Sequence, residues 1–426
     1  MNIAVMCYVF PPEVAPAGVM MRELAEDLAA DGHRVTLLVS WPNHPGGKLK
    51  EGWKARFRGV EHLSPRIRVV RCLHTIPNRK RMISRLMFYF TFGLTAMLNG
   101  LASGPFDVVL NHSTPIFGTW LGWLLARLKG ARLVYDIYDL HPEAAAHAGL
   151  IEESALSYRV LRAMDAELCR RADAITTLSE SLKRGIVERG VDGGKITLVP
   201  LWLDPEKFPA TRRDNPWRRA QGIPKDKFVA LFAGTIGYAS GALVLADVAE
   251  RLAGRQDILL LIVGEGAVKD ELEAAAAERG LGNMMFLPYQ PAEALANMQA
   301  AADVGLVTLL PRTGETSLPS KVLGYMAAGR AVLAGAPDDS DTARMIRLGR
   351  CGTVSGCQDA EGMAEAIREA ADHPRRTRDM GRRARKFLLA EYNRKRSTGV
   401  YKSVAVAVGR GEVPPRPAQD KKEKTT

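Results

Sequence analysis

The chain has 426 residues, of which 46% are hydrophobic and 25% charged, and this composition is typical of a globular protein with an ample core and two to three domains. Its five cysteines are odd in number and lack metal-ligand spacing, which favours a reducing cytoplasm over a disulfide framework and argues against a zinc site. The formal net charge of +12 points to an anionic partner.

The first half of the chain alternates short apolar runs with helical patterns. The segment MNIAVMCYVFPPE has no basic region before its apolar stretch, so it is predicted to be a strand and not a signal peptide. The next helical pattern, VMMRELAEDLAADG, ends at Gly32. Gly18 lies before it, in a predicted strand-to-helix turn whose backbone approaches a ligand; a plain tight turn is the alternative. Buried parallel strands are predicted at 3–7, 35–39, 108–110, 132–137, 174–178 and 196–200.

Positive charge is concentrated between Lys48 and Arg85, a segment that contains twelve Lys or Arg residues and only two acidic residues, Glu51 and Glu61. The apolar, aromatic-rich segment at 86–98 follows, and it is shorter than the roughly 20 residues that a membrane span needs. One hypothesis is a basic, aromatic face that lies on an anionic membrane surface. The alternative is a buried helix flanked by a solvated basic loop.

The second half repeats the alternation, with strands predicted at 228–234, 258–264, 284–288, 304–309 and 331–335. The join at 201–224 is rich in Pro and charge. We therefore predict an α/β protein with two Rossmann-like, doubly wound domains facing a cleft. The predicted parts are residues 1–205, residues 206–385, a final helix at 386–403 and a disordered tail at 404–426.

Several segments combine a strand end with polar or glycine residues. In FAGTIGYASG, Gly234, Gly237 and Gly241 punctuate a loop from a strand into a helix. Asp139 in VYDIYDLHPE and His112 in LNHSTP each follow a strand, which is where ligands bind in such sheets, although a lone His is more often structural.

These segments together resemble a known family. The order and spacing of FPPEVAPAG, GHRVTLL, VYDIYDLHPE, TTLSESLK, VPLWLDPEKF, FAGTIGYASG, VGEG and LPSKVLGYMAAGRAV are similar to family 4 retaining glycosyltransferases of the GT-B fold, from Met1 to about Tyr401. The branch they resemble most contains L-fucosamine or N-acetylfucosamine transferases. The resemblance implies that the final helix crosses back to the first domain.

The resemblance also implies a donor site. Family members commonly carry Arg and Lys in the glycine loop, where this chain has Thr235 and Ser240, so Lys321 becomes the candidate cation for the donor diphosphate; a solvated Lys is the alternative. The two family glutamates correspond to Thr316 and Gly324, with Glu315 one residue away. A helix-weakening Gly at 324 is explained either by that loss or by packing. The full set of expected nucleotide-sugar contacts is Gly18, Gly234, Thr235, Gly237, Ser240, Glu265, Leu287, Glu315, Thr316, Ser320 and Lys321.

The resemblance implies an enzyme that moves a sugar, expected to be an N-acetylated amino or deoxyamino sugar, from a UDP-sugar to a lipid-linked saccharide or glycan acceptor in surface-polysaccharide biosynthesis. Asp139, Lys321 and His112 are the expected catalytic residues. In retaining transfer of this type the leaving diphosphate accepts the acceptor's proton, so no metal or cofactor is expected. The protein is expected in the cytoplasm, at the inner membrane face. A GT-B nucleotide-sugar epimerase and a basic nucleic-acid-binding protein are the alternatives, although the basic segment lacks the stacking residues of a known nucleic-acid module.

Overall fold

The structure, a computed structural model, describes residues 1–13, 15–43, 48–76, 82–112, 116–147, 151–209, 211–312 and 318–414. By their internal contacts, the described residues of Met1–Pro200 together with those from Lys395 onward form one compact unit (unit 1), and those of Leu201–Arg394 form a second (unit 2). None of the helices in the described ranges is both long enough and apolar enough to cross a bilayer.

Unit 1 is built on a sheet with the strand order β3-β4-β2-β1-β5-β6-β7-β8. Every neighbouring pair is parallel except β3 and β4, which form an antiparallel hairpin. The strands are β1 Asn2–Cys7, β2 Arg34–Ser40, β3 Arg58–Ser64, β4 Ile67–Cys72, β5 Val108–His112, β6 Arg132–Ile137, β7 Ala174–Thr177 and β8 Ile196–Leu198. The central strands are buried on both faces, which explains why they are near-continuous apolar runs in the sequence.

Helices cover both faces of this sheet. They are α1 Pro16–Ala30, α2 Met82–Leu101, α3 Ile116–Lys129, α4 Glu143–His147, α5 Leu156–Arg171, α6 Glu180–Val187 and, from the end of the chain, α15 Arg394–Gly409. Helices α2 and α3 pack closely because Gly93 lies against Gly118, where a Cβ atom would come within 2.8 Å of the Gly118 Cα. Unit 1 is thus the doubly wound domain that the sequence predicts.

Unit 2 contains a fully parallel sheet with the order β11-β10-β9-β12-β13-β14. Its strands are β9 Phe228–Ala233, β10 Ile258–Val263, β11 Met284–Leu287, β12 Val304–Thr308, β13 Ala331–Gly335 and β14 Gly352–Ser355. Its helices are α7 Pro216–Ala220, α8 Val244–Arg251, α9 Lys269–Glu278, α10 Leu295–Ala301, α11 Lys321–Ala327, α12 Asp341–Gly349, α13 Ala360–Asp372 and α14 Pro374–Glu391. The second doubly wound domain is therefore also present.

The final helix returns to unit 1 but begins later than predicted. Residues 386–391 belong to α14 in unit 2, and the returning helix is Arg394–Gly409. Its buried apolar residues are Tyr401, Val404, Ala405, Ala407 and Val408, and Lys402 pairs at 2.8 Å with Asp31, the residue directly after α1. Residues 404–409, predicted to be disordered, are helical, because this apolar face packs on the sheet domain. Residues 415–426 of the predicted tail lie outside the described residues.

The basic segment contains the hairpin β3–β4, which the sequence analysis did not predict. Arg71 on β4 is only 2% exposed, and its guanidinium bonds Glu61 at 2.6 Å and the Pro11 carbonyl at 2.7 Å. It also stacks over the ring of Trp53, with its Cζ atom 4.6 Å from the centroid. Part of the basic segment, which one of the two alternatives treats as a solvated loop, is therefore folded, and the charge of Arg71 is satisfied inside the domain.

Candidate functional site

In unit 2 the order of the strands reverses at β9, which has β10 on one side and β12 on the other. The carboxyl ends of β9 and β12 flank such a switch point, where open α/β sheets bind ligands. Gly234 directly follows β9 with φ +133°, and Gly241 closes the following loop with φ +57°. Both angles are in the region that favours glycine, so this loop depends on the residues that the sequence analysis identified. Gly237 and Ser240 lie between them, and the Ser240 hydroxyl donates to the Gly237 carbonyl at 2.6 Å.

Two further glycines shape this loop, and the sequence analysis did not single them out. Gly264 follows β10, and a Cβ there would come within 1.9 Å of the Gly234 carbonyl oxygen. A Cβ on Gly266 would come within 2.2 Å of the Ile236 carbonyl oxygen. The Ile236 N–H donates to the Glu265 carbonyl at 3.0 Å, so the loops after β9 and β10 lie backbone to backbone. Both glycines belong to the motif VGEG, which the sequence analysis used only as part of the resemblance. Their role in packing the two loops together is visible only in the structure.

Lys321 begins α11 and reaches the same loop. A Cβ on Gly234 would lie 3.3 Å from the Lys321 Cε, and the Lys321 Nζ lies 3.5 Å from the centroid of the Phe232 ring. Surrounding protein atoms desolvate the ammonium, and this burial lowers its pKa to about 7. Among the described residues, no carboxylate pairs with it. The arrangement is a desolvated cation beside a glycine loop, which is a setting that an anion would stabilise.

The neighbouring edge of unit 2 is polar and accessible. The Thr235 hydroxyl lies 3.0 Å from the Tyr289 hydroxyl, which in turn lies 3.4 Å from the Glu265 carbonyl oxygen. The Glu265 carboxylate pairs with Lys269 at 2.9 Å and so does not neutralise Lys321. The Leu287 carbonyl accepts from the Gly264 N–H at 3.0 Å, and Ser320 is exposed just before α11. Thr235, Glu265, Leu287, Ser320 and Lys321 therefore share the carboxyl edge of one sheet.

Two of the expected contacts, Glu315 and Thr316, lie outside the described residues. Gly324, on α11, is buried, and a Cβ there would lie 2.2 Å from Nε2 and 2.7 Å from Cδ of Gln299. The structure therefore favours the packing explanation for this helix-weakening residue. Gln299 is itself only 7% exposed, so its carboxamide occupies the space that a side chain at 324 would need.

Tyr325 supports the floor of this site and was not anticipated. Its ring lies beneath Gly305 of β12, where a Cβ would come within 2.2 Å of the ring. Its hydroxyl accepts a hydrogen bond from the Ala233 N–H at 2.8 Å, at the end of β9. Tyr325 therefore joins α11 to the strand end that carries Gly234.

In unit 1 the corresponding switch point lies between β1 and β5. His112, the last residue of β5, is buried, and its Nδ1 lies 2.7 Å from the Asp136 Oδ2 on the adjacent strand β6. The edge of its ring packs against Tyr138, with the centroids 4.4 Å apart. The structure thus brings His112 together with the acidic segment after β6, as expected for two strand ends at one sheet edge.

Asp139 follows in the same segment. Part of its surface is accessible, yet the protein atoms around it desolvate the carboxyl and raise its pKa, while His141 and His112 act in the opposite direction. An accessible carboxyl in such a surrounding is suited to contact with a polar ligand.

Gly18 differs from the prediction. Helix α1 begins at Pro16, so Gly18 is in its first turn and not in the preceding loop. A Cβ at this position would come within 2.9 Å of the Val9 carbonyl oxygen and 3.0 Å of the Phe10 Cα. Glycine allows α1 to pack directly on the backbone after β1, so its immediate role is the close approach of two chain segments.

Two matches to known domain families cover most of the chain. Residues 17–202 match the Glycosyl transferase 4-like domain, and residues 214–387 match the Glycosyl transferases group 1 domain. The chain is 28% identical over 336 residues to WcaI of Escherichia coli (strain K12), named as a colanic acid biosynthesis glycosyl transferase; the match covers 77% of this chain and 82% of that protein.

Solved structures show the same fold. Sucrose-phosphate synthase from Thermosynechococcus elongatus superposes with a TM-score of 0.75 at 19% identity and covers 95% of this chain and 99% of its own. Anabaena HepE in complex with UDP superposes with a TM-score of 0.69 at 13% identity and covers 96% and 100%. The chain therefore has the GT-B fold, and its first and second halves match the Glycosyl transferase 4-like and the Glycosyl transferases group 1 domain families, respectively.

Proposed function

We propose that this protein is a retaining glycosyltransferase that moves a sugar from a UDP-sugar to a lipid-linked saccharide or other glycan acceptor in cell-surface polysaccharide biosynthesis. The observation that carries the proposal is Lys321, a desolvated cation beside the Gly234 loop at the switch point of unit 2. A nucleoside diphosphate supplies the anion that this position lacks among the described residues. The similarity to WcaI, named for colanic acid biosynthesis, supports the pathway class, and the UDP bound to HepE supports the donor class.

The donor diphosphate is assigned to unit 2. Charge builds up on the departing phosphate when the bond between the sugar C1 and the phosphate oxygen breaks, and a cation already in place stabilises that charge without reorganisation. Lys321 takes this role, since the family's loop cations are replaced by Thr235 and Ser240. The Thr235 hydroxyl, already within 3.0 Å of the Tyr289 hydroxyl, is available to a phosphate oxygen.

The sugar hydroxyls are assigned to unit 1. His112 and Asp139 end or follow adjacent strands, and each offers an acceptor atom at the carboxyl edge of the sheet. In the proposed step the acceptor oxygen bonds to C1 on the face that the diphosphate leaves, and the acceptor's proton passes to a phosphate oxygen. This route needs neither a protein nucleophile nor a metal. An N-acetylated amino or deoxyamino sugar is proposed from the sequence motifs alone.

A membrane surface is proposed as the place of action, and α2 supplies the contact. Ile83, Met87, Phe90 and Leu98 lie on one side of this helix and are 67%, 46%, 43% and 41% exposed. The Asn99 amide donates to the Phe57 carbonyl, so exposed Phe57, with exposed Arg56 and Arg58 beside it, lies next to the end of α2. Apolar side chains bordered by cations suit an anionic inner leaflet. Arg79, Lys80 and Arg81 lie outside the described residues.

The test is a donor screen. Purified protein is mixed with UDP-, GDP- and dTDP-sugars, with and without lipid-linked saccharide acceptors, and products are identified by mass spectrometry. Release of UDP that depends on the acceptor, with the anomeric configuration of the donor kept in the product, supports the proposal; EDTA should leave the rate unchanged. Conversion of the donor without acceptor indicates an epimerase and contradicts it, as does inversion at C1.

A further inference from the structure

Asp136, at the carboxyl end of β6, is the centre of a buried hydrogen-bond cluster in unit 1. Its side chain is fully shielded from solvent. One carboxylate oxygen, Oδ2, lies 2.7 Å from the His112 Nδ1, and the other, Oδ1, accepts from the Thr176 hydroxyl at 2.7 Å and from the Tyr401 hydroxyl. Three elements, β5, β7 and α15, therefore converge on one carboxylate.

This arrangement determines which nitrogen of His112 carries the proton. An ionised carboxylate can only accept hydrogen bonds, so the Nδ1 must donate, and in the neutral ring the Nε2 is left as an acceptor. The Nε2 has no hydrogen-bond partner among the described residues. The Tyr138 ring, 4.4 Å from the His112 ring between centroids, restricts its tilt.

We propose that Tyr401, acting through Asp136, is a positioning residue for His112: it holds the carboxylate so that the imidazole presents an unprotonated Nε2 to a substrate hydroxyl. Thr176 assists from β7. This inference rests on the proposed function, in which His112 contacts a sugar hydroxyl. Its distinctive element is α15, because a helix from the end of the chain would then complete the active-site chemistry of the first domain.

The physical argument is that second-layer hydrogen bonds orient a histidine and fix its tautomer. Asp136 could rotate about its own side-chain bonds if only His112 held it. The donors on Oδ1 remove that freedom, because rotation would leave the Thr176 and Tyr401 hydroxyls unsatisfied in a buried site. Partners of this kind typically change activity by about 10- to 100-fold when removed from metal-binding histidines, and we expect a smaller effect here because Thr176 remains.

The first measurement uses the imidazole proton directly. The Nδ1–H of His112 is shielded from solvent and bonded to a carboxylate, so it should give a downfield proton resonance, assigned by its loss in His112→Gln. In Tyr401→Phe, Asp136 has one donor fewer and becomes a stronger acceptor, so the resonance should move further downfield. Thr176→Val should move it in the same direction. Val404→Ala, a cavity on the buried face of the same helix, is the control and should leave it in place.

The second measurement is kinetic. Tyr401→Phe should lower kcat about fivefold to tenfold with the donor KM within about twofold of wild type. In the His112→Gln background the same substitution should have no further effect, because Tyr401 acts only through the ring that is already gone. A purely structural role would give independent, multiplying losses in the double variant and would overturn the inference. A resonance that stays fixed in both Tyr401→Phe and Thr176→Val would also overturn it.

The two measurements separate this inference from the proposed function. The proton resonance requires no turnover, so a shifted resonance in a protein that transfers no sugar would support the positioning network and contradict the transferase assignment. Acceptor-dependent transfer in a protein whose resonance stays fixed in the variants would support the transferase assignment and contradict the positioning network. If Tyr401→Phe does not fold, Thr176→Val gives the same readouts from β7.

Discussion

The lysine at the start of α11, Lys321, has a pKa that differs from that of an ordinary exposed lysine. An exposed lysine is charged well above neutral pH, but burial lowers the pKa of Lys321 to about 7, so near neutral pH its charge depends on what else occupies the site. An anion beside the Nζ favours the protonated form. Binding of an anion beside the Nζ and uptake of a proton are therefore linked at this residue.

We expect the affinity for UDP to fall as the pH rises from about 6.5 to 8.5, because the site loses its cation over this range. Binding at pH 8 should take up protons, measured by calorimetry in two buffers of different ionisation enthalpy. Lys321→Met should abolish the uptake, and Lys321→Ala should lower donor turnover at least tenfold, equivalent to about 1.4 kcal/mol. Lys225→Met, which removes an exposed lysine that pairs with Asp214 at 3.2 Å and lies just before the amino end of β9, is the matched control and should retain both properties. Unchanged kinetics in Lys321→Ala would contradict the assignment.

The same residue should affect stability with a definite sign. Its pKa is lowered on folding, so the unfolded chain binds more protons between about pH 7 and pH 10.5, and the free energy of unfolding should rise with pH across that window. Lys321→Met should lack this rise. Denaturant titrations of both proteins at several pH values provide the measurement, and parallel curves would show that burial does not perturb the lysine.

Gly324 shows why residue roles were only partly predictable. The sequence located the position and its two explanations, but nothing local to α11 identifies Gln299, which is on α10 and reaches it only in the folded domain. The same holds for Tyr325 and for the pairing of Gly264 with Gly234. Residues defined by their own backbone, such as Gly234 and Gly241, were found from the sequence; those defined by a distant neighbour were not.

We expect Gly324→Ala to destabilise the protein despite the better helix propensity of alanine. The gain of up to about 1 kcal/mol is opposed by overpacking against Gln299, which typically costs about 1 to 3 kcal/mol. Gln299→Ala should also destabilise the protein by opening a cavity. The double variant should lose less free energy of unfolding than the two single variants lose in sum. Thermal or denaturant unfolding of the four proteins completes the cycle, and additive losses would show that the two residues do not compete for space.

At the scale of elements, α2 has two apolar faces with different partners. Phe88, Phe92 and Ala96 are buried in unit 1, whereas the opposite side carries the exposed stripe of Ile83, Met87, Phe90 and Leu98. The sequence predicted the helix from its apolar content. It could not decide between burial and membrane contact, because a helix that is apolar all round satisfies both.

Replacing Ile83 and Phe90 by Ser should weaken binding to anionic liposomes at low salt about tenfold or more, since each side chain loses apolar area buried in the lipid interface. Replacing Arg56 and Arg58 by Ser should weaken it by about 1 kcal/mol per residue, and this part should disappear at high salt. Leu348→Ser, which removes an equally exposed leucine from unit 2, is the control. Sedimentation with vesicles measures all three. Vesicle binding that changes with neither the Ile83 and Phe90 replacements nor the Arg56 and Arg58 replacements would show that this face does not contact the membrane.

The strands missed by the sequence analysis share a physical cause. Strands buried on both faces are apolar runs and were found within a residue or two. β3 and β14 are at sheet edges, where half-exposed positions carry polar and charged residues, and β4 contains Arg68 and Arg71. A buried arginine satisfied by Glu61 and backbone carbonyls gives no hydrophobic signal, so β4 was hidden within the run of positive charge.

For the whole molecule, the important feature is that unit 1 is discontinuous in sequence. The fold, with its two sheets and returning helix, followed from the order of motifs, but the start of the helix did not. Phe387 and Tyr392 pack edge to face in unit 2, with ring centroids 5.5 Å apart, while the face of α15 that packs on unit 1 begins later in the chain. One basic, partly apolar stretch therefore divides between two units in a way that composition alone does not reveal.

A chain ending at Pro414 retains all of α15, and we expect it to match the full chain in solubility and activity. A chain ending at Asn393 loses the buried face formed by Tyr401, Val404 and Val408 and should be insoluble or inactive, because the apolar surface beneath it becomes exposed. Expression yield and size-exclusion profiles of both chains give the comparison. A soluble, active chain ending at Asn393 would show that unit 1 does not need the helix.

The discontinuity of unit 1 also governs its biosynthesis. Translation proceeds at about 5 to 20 residues per second, so the segment from Leu201 to Arg394 separates β8, the last strand of the unit 1 sheet, from α15 by roughly 10 to 40 s on the ribosome. During that interval the nascent first domain has its sheet but not its closing helix, and Asp136 lacks the Tyr401 hydroxyl. Unit 2, being continuous, can complete its fold first. The amino-terminal domain is thus made first and finished last, and its uncovered apolar surface is where a nascent-chain chaperone would bind.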